Sequence, residues 1–317
     1  MTWTPWKQTW DQALYGESGF YRQPSGPAGH FSTATQGVPQ IGEQLAGALL
    51  TLMDQEGLTT FVDMACGRGE LLEQVHRLRP QLLCLGVDVV ARPDLSEPIG
   101  WLQSPGGERL PDGLDGLTDT LLFANEWLDV VPCPIAELGE HGELCEVMVN
   151  ASTGDEKLGD LLSGAGLRWC ERFWPVEDLE PGDRVEIGQT RDLAWEDLLS
   201  RLGSGLAIAV DYGHTIDSRP RQGTLTGFRE GRQVLPVPDG SCDLTAHVAM
   251  DALIHDKLLD QRTALKQLGV SGQIPPVELA RTSPMAYLRG LSSASAAAAL
   301  TARGGLGDFL WAFKQVS

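Results

Sequence analysis

The chain of 317 residues is acidic: 43 Asp and Glu outnumber 24 Lys and Arg, which gives a formal net charge of −19. Such a charge repels nucleic-acid phosphates and anionic membrane surfaces, so it excludes nucleic acid as an expected partner and favours a cationic one, unless it serves solubility alone. With 42% hydrophobic and 21% charged residues, the chain has ample material for a core, and its length fits one large domain with an elaboration.

The cysteines and the N-terminus indicate the compartment. The six cysteines form no CxxC pair and have no zinc-like spacing with histidine, which predicts reduced thiols and no metal site. The N-terminus lacks the basic and then apolar pattern of a signal peptide, and no apolar run reaches membrane-spanning length. We therefore expect a cytoplasmic protein without membrane insertion, and a homodimer stays open.

The first part of the chain alternates between helical and strand-like patterns. Residues 1–35 are expected to form an N-terminal arm, irregular and surface-lying over residues 1–32. An amphipathic helix follows from Val38, with Gly57 as its stop. The next predicted elements are strand Thr60–Met64, helix Glu70–Leu78, strand Leu82–Val87 and strand Thr120–Ala124. This alternation predicts βαβ units, hence an α/β, Rossmann-like fold with a mainly parallel sheet.

The pattern changes between residues 134 and 204 and then returns. The short strands Leu144–Val149 and Arg184–Ile187 flank turn-rich stretches before a helix at Leu193–Leu202, which predicts an inserted region that faces the substrate. Residues 205–317 are expected to complete the core and to add C-terminal helices. Their predicted elements are strand Gly205–Val210, helix Thr245–Leu259 and the alanine-rich helix Ser292–Arg303.

A glycine-containing loop connects the strand at 60–64 to the helix that follows. Asp63 ends the strand, Ala65 opens the loop, and Gly67 and Gly69 allow close backbone approach and unusual φ and ψ angles. The next helix begins with unpaired N–H groups and a positive dipole end, so the loop is suited to polar or anionic ligand groups. A tight structural turn is the alternative interpretation of this loop.

Asp88 makes a nucleoside ligand the favoured interpretation. It ends the second strand, about 20 residues beyond the glycine loop, where a carboxylate accepts the protons of both ribose hydroxyls. The dinucleotide fingerprint G-x-G-x-x-G is absent because Leu72 stands where its third glycine belongs, which argues against a dehydrogenase. Residues 36–133 are therefore predicted to form a cofactor-binding core, with Asp63 close to an amine of the ligand.

Polar side chains crowd the end of the strand at 120–124. Asn125, Glu126 and Asp129 follow it, and in open α/β sheets ligands collect at the carboxyl ends of the strands. Two carboxylates there are suited to clamp a guanidinium, because a carboxylate pairs bidentately with the planar fork of arginine. The alternative is a helix cap, in which Asn125 is the N-cap and the two acids complement the helix dipole.

A second polar cluster, Asp211 to His214, follows the strand at 205–210. Asp211 is predicted to contact the substrate. His214 is a candidate general base, with a hydrogen-bonded structural role as the alternative. Further along the chain, Asp243 or Thr245 is expected to cap the next helix.

Several separated blocks together resemble one family, the MidA-like proteins, whose mitochondrial members are protein arginine methyltransferases that serve complex I assembly. The blocks are Gly29–Ala34, Asp63–Gly69, Ala124–Pro132, Asp211–His214, Gly223–Phe228 and Asp243–Val248. The resemblance departs from the family pattern at two places. This chain has Gly29-His30-Phe31 where Gly-Asp-Phe is expected. It has Asp63-Met64-Ala65-Cys66-Gly67 where Glu-x-Gly-Pro-Gly is expected, so that Ala65 replaces the first glycine.

The resemblance implies a class I methyltransferase fold and a protein substrate with an exposed arginine. Together with the residue patterns, it assigns the binding of S-adenosyl-L-methionine to Asp63, Ala65, Gly67, Gly69, Asp88 and Asn125. The catalytic candidates are Glu126, Asp129, Asp211 and His214. Two alternatives stay open: a catalytically silent binding or assembly factor that keeps the cofactor, and a methyltransferase of small molecules.

Overall fold

The computed structural model describes residues 2–23 and 40–317. The predicted motif at residues 29–34 and the start of the helix expected from Val38 lie outside this part of the chain. The elements up to residue 161 are β1 (Thr4–Pro5), α1 (Trp6–Tyr15), α2 (Ile41–Glu56), β2 (Thr60–Met64), α3 (Glu70–Leu78), β3 (Leu83–Asp88), β4 (Gly100–Gln103), β5 (Thr120–Asn125), β6 (Ile135–Leu138), β7 (Leu144–Val149) and β8 (Glu156–Leu161). The elements after them are α4 (Gly164–Phe173), β9 (Arg184–Glu186), α5 (Gln189–Ser200), β10 (Gly205–Asp211), β11 (Gly213–His214), β12 (Thr226–Arg229), β13 (Arg232–Val234), β14 (Asp243–Thr245), β15 (Val248–Ala249), β16 (Lys257–Asp260), α6 (Gln261–Gln267), α7 (Glu278–Thr282), α8 (Pro284–Leu300) and β17 (Leu310–Val316).

Seven strands form the main sheet, in the order β4-β3-β2-β5-β10-β17-β16. The first five are parallel to one another, whereas β17 runs antiparallel to both of its neighbours. The predicted mainly parallel sheet is therefore a mixed sheet, with its antiparallel pairs at one edge. Counted along the chain, its order is 3-2-1-4-5-7-6, which differs from the 3-2-1-4-5-6 order of a dinucleotide-binding sheet by the last strand.

Successive residues of the central strand β5 are buried on opposite faces of the main sheet. Leu121 and Phe123 pack in one apolar cluster with helices α2, α3, α6 and α8, whereas Leu122 and Ala124 pack in another with α5. All four side chains are at most 1% exposed. A parallel strand that is covered on both faces has a continuous apolar sequence, which is why its position is predicted correctly.

The strand order reverses between β2 and β5, and this reversal positions the site. From β2 the chain continues outward through β3 and β4, then crosses the sheet to β5 on the other side of β2. The loops after β2 and β5 therefore leave the same sheet edge in opposite directions, and the crevice between them is where open α/β sheets bind ligands. Met64 and Asn125 end the two strands at this crevice.

A smaller antiparallel sheet is built mainly from the chain between β5 and β10. Its strand order is β1-β7-β6-β9, with β8 paired to β7. Cys133, Ile135 and Val147 pack with α1 in one apolar cluster. Helix α5, which the sequence groups with this region, packs Trp195 and Leu198 against the main sheet instead.

Residues 2–23 differ from the irregular surface arm that the sequence predicts. Helix α1 places Trp6, Trp10 and Leu14 at four-residue spacing on one face, and all three are 0% exposed. The Trp10 Nε1 group donates a hydrogen bond of 3.1 Å to the carbonyl of Leu244. The prediction is wrong because a helix of only 10 residues has too few turns for its periodicity to stand out.

The helix predicted over Thr245–Leu259 is also wrong. The strands β14, β15 and β16 occupy this segment, and the partners of β15 and β16 lie about 35 and about 50 residues away in the chain. Two carboxylates between them bind distant backbone: Asp251 accepts the N–H of Ile216 at 2.8 Å, and Asp256 accepts the N–H of Gln315 at 2.8 Å. These long-range partners override the weak helical spacing of the apolar residues.

Helix α8 includes most of the predicted alanine-rich helix Ser292–Arg303, which extends three residues too far. It begins earlier than expected, at Pro284, and ends at Leu300. Proline suits this start because the first helical residue needs no N–H partner within the helix. Among residues 2–23 and 40–317, no helix is both long and apolar enough to cross a bilayer.

Candidate active site

A cavity of about 970 Å³ opens at the carboxyl ends of β2, β3 and β5. Small-molecule sites usually measure about 300–1,000 Å³, so this cavity has room for a cofactor and for part of a second substrate. The predicted site residues that line it are Asp63, Ala65, Gly67, Asp88, Asn125, Glu126 and Asp129. Gly69, Asp211 and His214 are not part of this lining.

The loop between β2 and α3 follows a path that its sequence makes specific. Gly67 and Gly69 have φ angles of 61° and 80°, in the left-handed region that favours glycine. A Cβ atom on Gly69 would lie 2.9 Å from a methyl carbon of Leu95. Gly69 therefore shapes the entry into α3, whereas Gly67 forms part of the cavity wall.

Ala65 adopts a left-handed conformation without being glycine. Its φ angle is 58°, and its N–H donates to the carbonyl of Val87 at 2.8 Å. This is the position at which the resembled family pattern has glycine, and the angle gives the physical reason for that preference. The neighbouring Cys66 N–H donates to the same carbonyl at 3.2 Å, so the loop keeps its path with alanine in place.

Asp88 holds the loop as well as lining the cavity. Its Oδ2 accepts the N–H of Gly67 at 2.8 Å, and its Oδ1 accepts the N–H of Val90 at 3.1 Å. Burial raises the pKa of this carboxyl to about 6, against the opposing effect of these backbone hydrogen bonds. Each oxygen has a second lone pair, so the carboxylate still fits two ribose hydroxyl donors.

Asp63 is suited to bind the positively charged amino group of such a ligand. Its carboxyl is 3% exposed, and burial, followed by the charges of Asp88 and Glu70, raises its pKa well above the ordinary value. A nearby ammonium group would favour the ionised form. A nucleoside with an amino-acid chain, which is the chemistry of S-adenosyl-L-methionine, therefore fits the loop, Asp88 and Asp63 together.

Glu126 lies in the cleft at the end of β5 with a left-handed φ angle of 53°. Its N–H donates to the carbonyl of Val210 at 2.8 Å. Its Oε1 accepts from Asn125 Nδ2 at 3.2 Å, and its Oε2 accepts from the phenol of Tyr212 at 3.2 Å. Residues 126–134 form turns and bends without a helix, so the helix-cap interpretation of this segment is wrong.

Asp129 and Asp211 form a buried carboxyl pair, of which only Asp129 reaches the wall of the cleft. Thr245 Oγ1 donates to Asp129 at 2.6 Å, and the N–H of Leu128 donates to Asp211 at 2.9 Å. Burial is the main cause that raises the pKa of both groups, and the charge of Asp129 raises that of Asp211 further. Thr245 thus contacts an acid of the site and does not cap a helix, contrary to the prediction.

His214 is separated from the cleft. Arg219 Nη1 donates to His214 Nδ1 at 2.8 Å, and the imidazole lies edge-on to Trp174 with ring centroids 5.4 Å apart. Burial, followed by the charge of Arg219, lowers its pKa to about 3. The structure therefore does not bring the candidate general base together with the other predicted residues, and its contacts match the structural alternative.

The N-terminal segment supplies cleft residues that sequence reasoning misses. Tyr15 and Tyr21 stack with ring centroids 5.5 Å apart, and both line the cavity. The Tyr15 phenol donates to the carbonyl of Val130 at 3.0 Å, and the Tyr21 phenol donates to Asp243 at 2.8 Å. Burial raises the pKa of Asp243 to about 8. The four-residue spacing of Trp6 and Trp10 is a weak signal for α1 and hence for Tyr15, whereas no spacing places Tyr21, which lies beyond that helix.

The comparisons with known proteins identify the family and a similar fold. The chain matches the family described as "Putative S-adenosyl-L-methionine-dependent methyltransferase" over residues 45–270. A COG1565 superfamily member from Burkholderia thailandensis, crystallised with S-adenosyl-homocysteine, is 21% identical with a TM-score of 0.75, over 98% of this chain and 87% of that chain. The native crystal structure of a COG1565 superfamily protein from the same organism shows 20% identity and a TM-score of 0.74, over 99% of this chain and 87% of that chain. No curated protein matches the sequence.

The family match spans most of the features that build the cleft. It includes the glycine loop with Asp88, the acidic segment after β5 and the end of β10. The family expected from the sequence blocks is thus confirmed. The chain belongs to the family of S-adenosyl-L-methionine-dependent methyltransferases, and its cofactor is S-adenosyl-L-methionine.

Proposed function

We propose that this protein transfers a methyl group to the guanidinium of an arginine in a protein substrate. The observation that carries the proposal is the placement of Glu126, whose strand end lies beside the cofactor loop at the edge of the cleft. Asn125 and Tyr212 each donate to one of its carboxylate oxygens and so restrict the plane of the group. An oriented carboxylate matches the planar fork of a guanidinium.

The other acids of the cleft support a cationic acceptor. Asp129 and Asp243 also line it, and burial raises the pKa of both carboxyls. A cation close by favours their ionised forms and so offsets part of this burial cost. A guanidinium therefore gains binding energy in this cleft that a neutral acceptor does not.

The residues of the chain orient the two reactants. The bound cofactor supplies a methyl group on a positively charged sulfur. Asp63, Asp88 and the loop at 65–69 are proposed to hold the cofactor, while Glu126 holds the acceptor nitrogen in line with that methyl group. Tyr15 and Tyr21 line the cleft from the N-terminal side. Such alignment accounts for a large part of the rate of a two-substrate transfer.

One proton must leave the acceptor. As the nitrogen–carbon bond forms and the sulfur–carbon bond breaks, positive charge moves from the sulfur to the methylated guanidinium. The nitrogen then loses one proton, so the product is again a singly charged guanidinium. Glu126 is proposed to accept this proton and to release it to solvent, because its carboxylate lies within the cleft.

Methylation of extract proteins with radiolabelled cofactor tests this proposal. We expect labelled methylarginine after acid hydrolysis. Glu126→Gln keeps the side-chain volume and removes the charge, so cofactor binding measured by calorimetry should persist while the label falls by about 100-fold. Glu171→Gln, an exposed position on α4, is the matched control and should leave both unchanged.

Other outcomes would point elsewhere. Label confined to the low-mass fraction would contradict a protein acceptor and favour the small-molecule alternative. Cofactor binding without any labelled product would favour the silent assembly factor. Label on lysine instead of arginine would overturn the role of Glu126 as a partner of a guanidinium fork.

A further inference from the structure

Asp129 and Asp211 are buried next to each other, with Asp129 at the wall of the cleft. Asp129 is 4% exposed and Asp211 is 0% exposed. Asp211 accepts the N–H of Leu128, the residue before Asp129, at 2.9 Å, so the two acids are neighbours, and only Asp129 belongs to the cleft lining. The pair thus connects the cleft wall to the interior of the protein.

The two carboxyl groups lack one hydrogen-bond donor. One oxygen of each carboxyl, Oδ2, accepts a hydrogen bond from the protein. Thr245 Oγ1 donates to Asp129 Oδ2, and the N–H of Leu128 donates to Asp211 Oδ2. The two Oδ1 atoms are buried and have no donor among the described residues. An ionised carboxylate accepts hydrogen bonds but cannot donate one, so two carboxylates in contact cannot bond to each other. A single proton on the pair supplies the missing donor.

The surrounding charges also favour one negative charge on the pair. The guanidinium of Arg191 lies beside it and donates to the carbonyls of Asp129, Val131 and His247. The titratable groups that face the pair are Arg191 on α5, Glu126 after β5, Tyr212 after β10, Asp243 on β14, His247 before β15, and Tyr15 and Tyr21 from the N-terminal segment. Arg191 is the only cation in this set, so a second carboxylate charge would have no counterion.

We propose that Asp129 and Asp211 share one proton, with Asp211 as the neutral carboxylic acid that donates to Asp129 and keeps the Asp129 carboxylate at the cleft wall. Asp211 is then a positioning residue that acts on the acceptor through Asp129. Its effect on methyl transfer rests on the proposed function. The shared proton itself does not, since it follows from burial and hydrogen bonding.

A shared proton gives the folded state a measurable pH dependence. Burial raises the pKa of Asp211 well above the value that an unfolded aspartate has. The folded state therefore keeps a proton that the unfolded state loses above about pH 4. The stability that Asp211 contributes is fully present below that pH. As the pH rises, the folding equilibrium constant falls by up to about tenfold per pH unit.

Asp211→Asn tests the proton without any methyl acceptor. The amide accepts from the Leu128 N–H and donates to Asp129 as the protonated acid does, but it cannot titrate. Compared with the wild type, the variant should gain stability as the pH rises from about 4 to 8, and it should lack one infrared carbonyl band of a protonated carboxyl. Asp217→Asn, at an exposed position, should show neither change. Parallel stability curves and an unchanged band would overturn the proposal.

The positioning role is tested by comparing Asp211→Asn with Asp211→Ala. Alanine leaves the Leu128 N–H and one Asp129 oxygen without partners, so turnover should be at least about tenfold lower than with asparagine. Equal turnover in the two variants would overturn the positioning role. If the alanine variant fails to fold, the infrared and stability comparison of the wild type with Asp211→Asn still decides whether the proton is shared. A positive result there with no methylarginine product would separate this inference from the proposed function.

Discussion

The phenol of Tyr212 donates a 3.2 Å hydrogen bond to Glu126 and so joins the ends of β10 and β5 across the cleft. The Tyr212 ring packs on Phe309 with centroids 4.2 Å apart and stacks with His247 at 6.0 Å. Glu126 itself has a left-handed φ angle of 53°. Such backbone strain costs on the order of 1–3 kcal/mol and persists where partners hold the residue, as Tyr212 does here.

Tyr212→Phe should weaken methyl transfer without weakening cofactor binding. The variant keeps the ring contacts and removes only the donor to Glu126. A hydrogen bond to a charged group contributes about 1.5–3 kcal/mol, so kcat/KM for the acceptor should fall by about 10-fold or more. Tyr287→Phe on α8 is the matched control and should leave kcat/KM unchanged. An equal loss of cofactor affinity would show that Tyr212 supports the whole cleft and not Glu126 in particular.

Cofactor affinity should fall as the pH is lowered through the pKa of Asp88, which burial raises to about 6. The ribose hydroxyls donate to the ionised carboxylate, so affinity is full above this pH and decreases below it, by up to about tenfold per pH unit. Calorimetric titrations with S-adenosyl-L-methionine between pH 5 and pH 8 measure the effect.

Asp88→Asn is the variant that assigns this pH dependence. It should bind the cofactor about 10-fold to 100-fold more weakly at neutral pH, and its affinity should depend less on pH than that of the wild type. Asp94→Asn, an exposed position in the loop after β3, should behave as the wild type. The same pH dependence in Asp88→Asn and the wild type would contradict the role of Asp88.

Ala65→Gly should stabilise the protein. Alanine in the left-handed region costs roughly 1–2 kcal/mol, and glycine loses roughly 0.5–1 kcal/mol in backbone entropy, so the expected gain in unfolding free energy is roughly 0.5–1 kcal/mol. Equilibrium unfolding in urea measures it. Ala151→Gly, at an exposed turn without a positive φ angle, should lose stability by about 0.4–1 kcal/mol. A loss in both variants would mean that the φ angle of Ala65 is not strained.

The sequence predicts the parts of the site that depend on local chain order. Asp63, Gly67, Asp88 and Glu126 follow strands whose apolar runs are visible, and the carboxyl ends of neighbouring parallel strands meet at one sheet edge. Their residue types and order along the chain are sufficient to place them together. The left-handed angle of Ala65 is consistent with the glycine expected there.

The parts of the site that the sequence does not predict depend on contacts between distant segments. Tyr21 reaches Asp243 and Thr245 reaches Asp129 across more than 100 residues, and no periodicity encodes such pairs. The strand end before it predicts that His214 lies in the site, but Arg219, five residues later, binds its ring outside the cleft. Pattern reasoning identifies where a strand ends and cannot tell which partner captures the side chain that follows.

Trp10→Ala should destabilise the fold strongly, because the N-terminal helix is part of the core. Trp10 is 0% exposed, donates to the carbonyl of Leu244 and lies 5.7 Å from the guanidinium of Arg191. Truncation of a buried tryptophan to alanine costs about 3–5 kcal/mol, and urea unfolding should show a loss of this size. Trp3→Ala removes a partly exposed ring that contacts Lys157, so it should cost about 1 kcal/mol or less.

The comparison of Trp10→Ala with Trp3→Ala also tests whether the N-terminal segment lines the cleft as part of the core or independently of it. If Trp10→Ala loses the expected stability, then removal of residues 1–16 would impair folding, and any loss of methyl transfer in that truncation would not report on substrate capture alone. Arg191 would lose its aromatic contact in the same variant, and Arg191 is the cation beside Asp129 and Asp211. A small stability loss in Trp10→Ala, similar to that of Trp3→Ala, would instead mean that α1 docks weakly and that Tyr15 and Tyr21 line the cleft independently of the core.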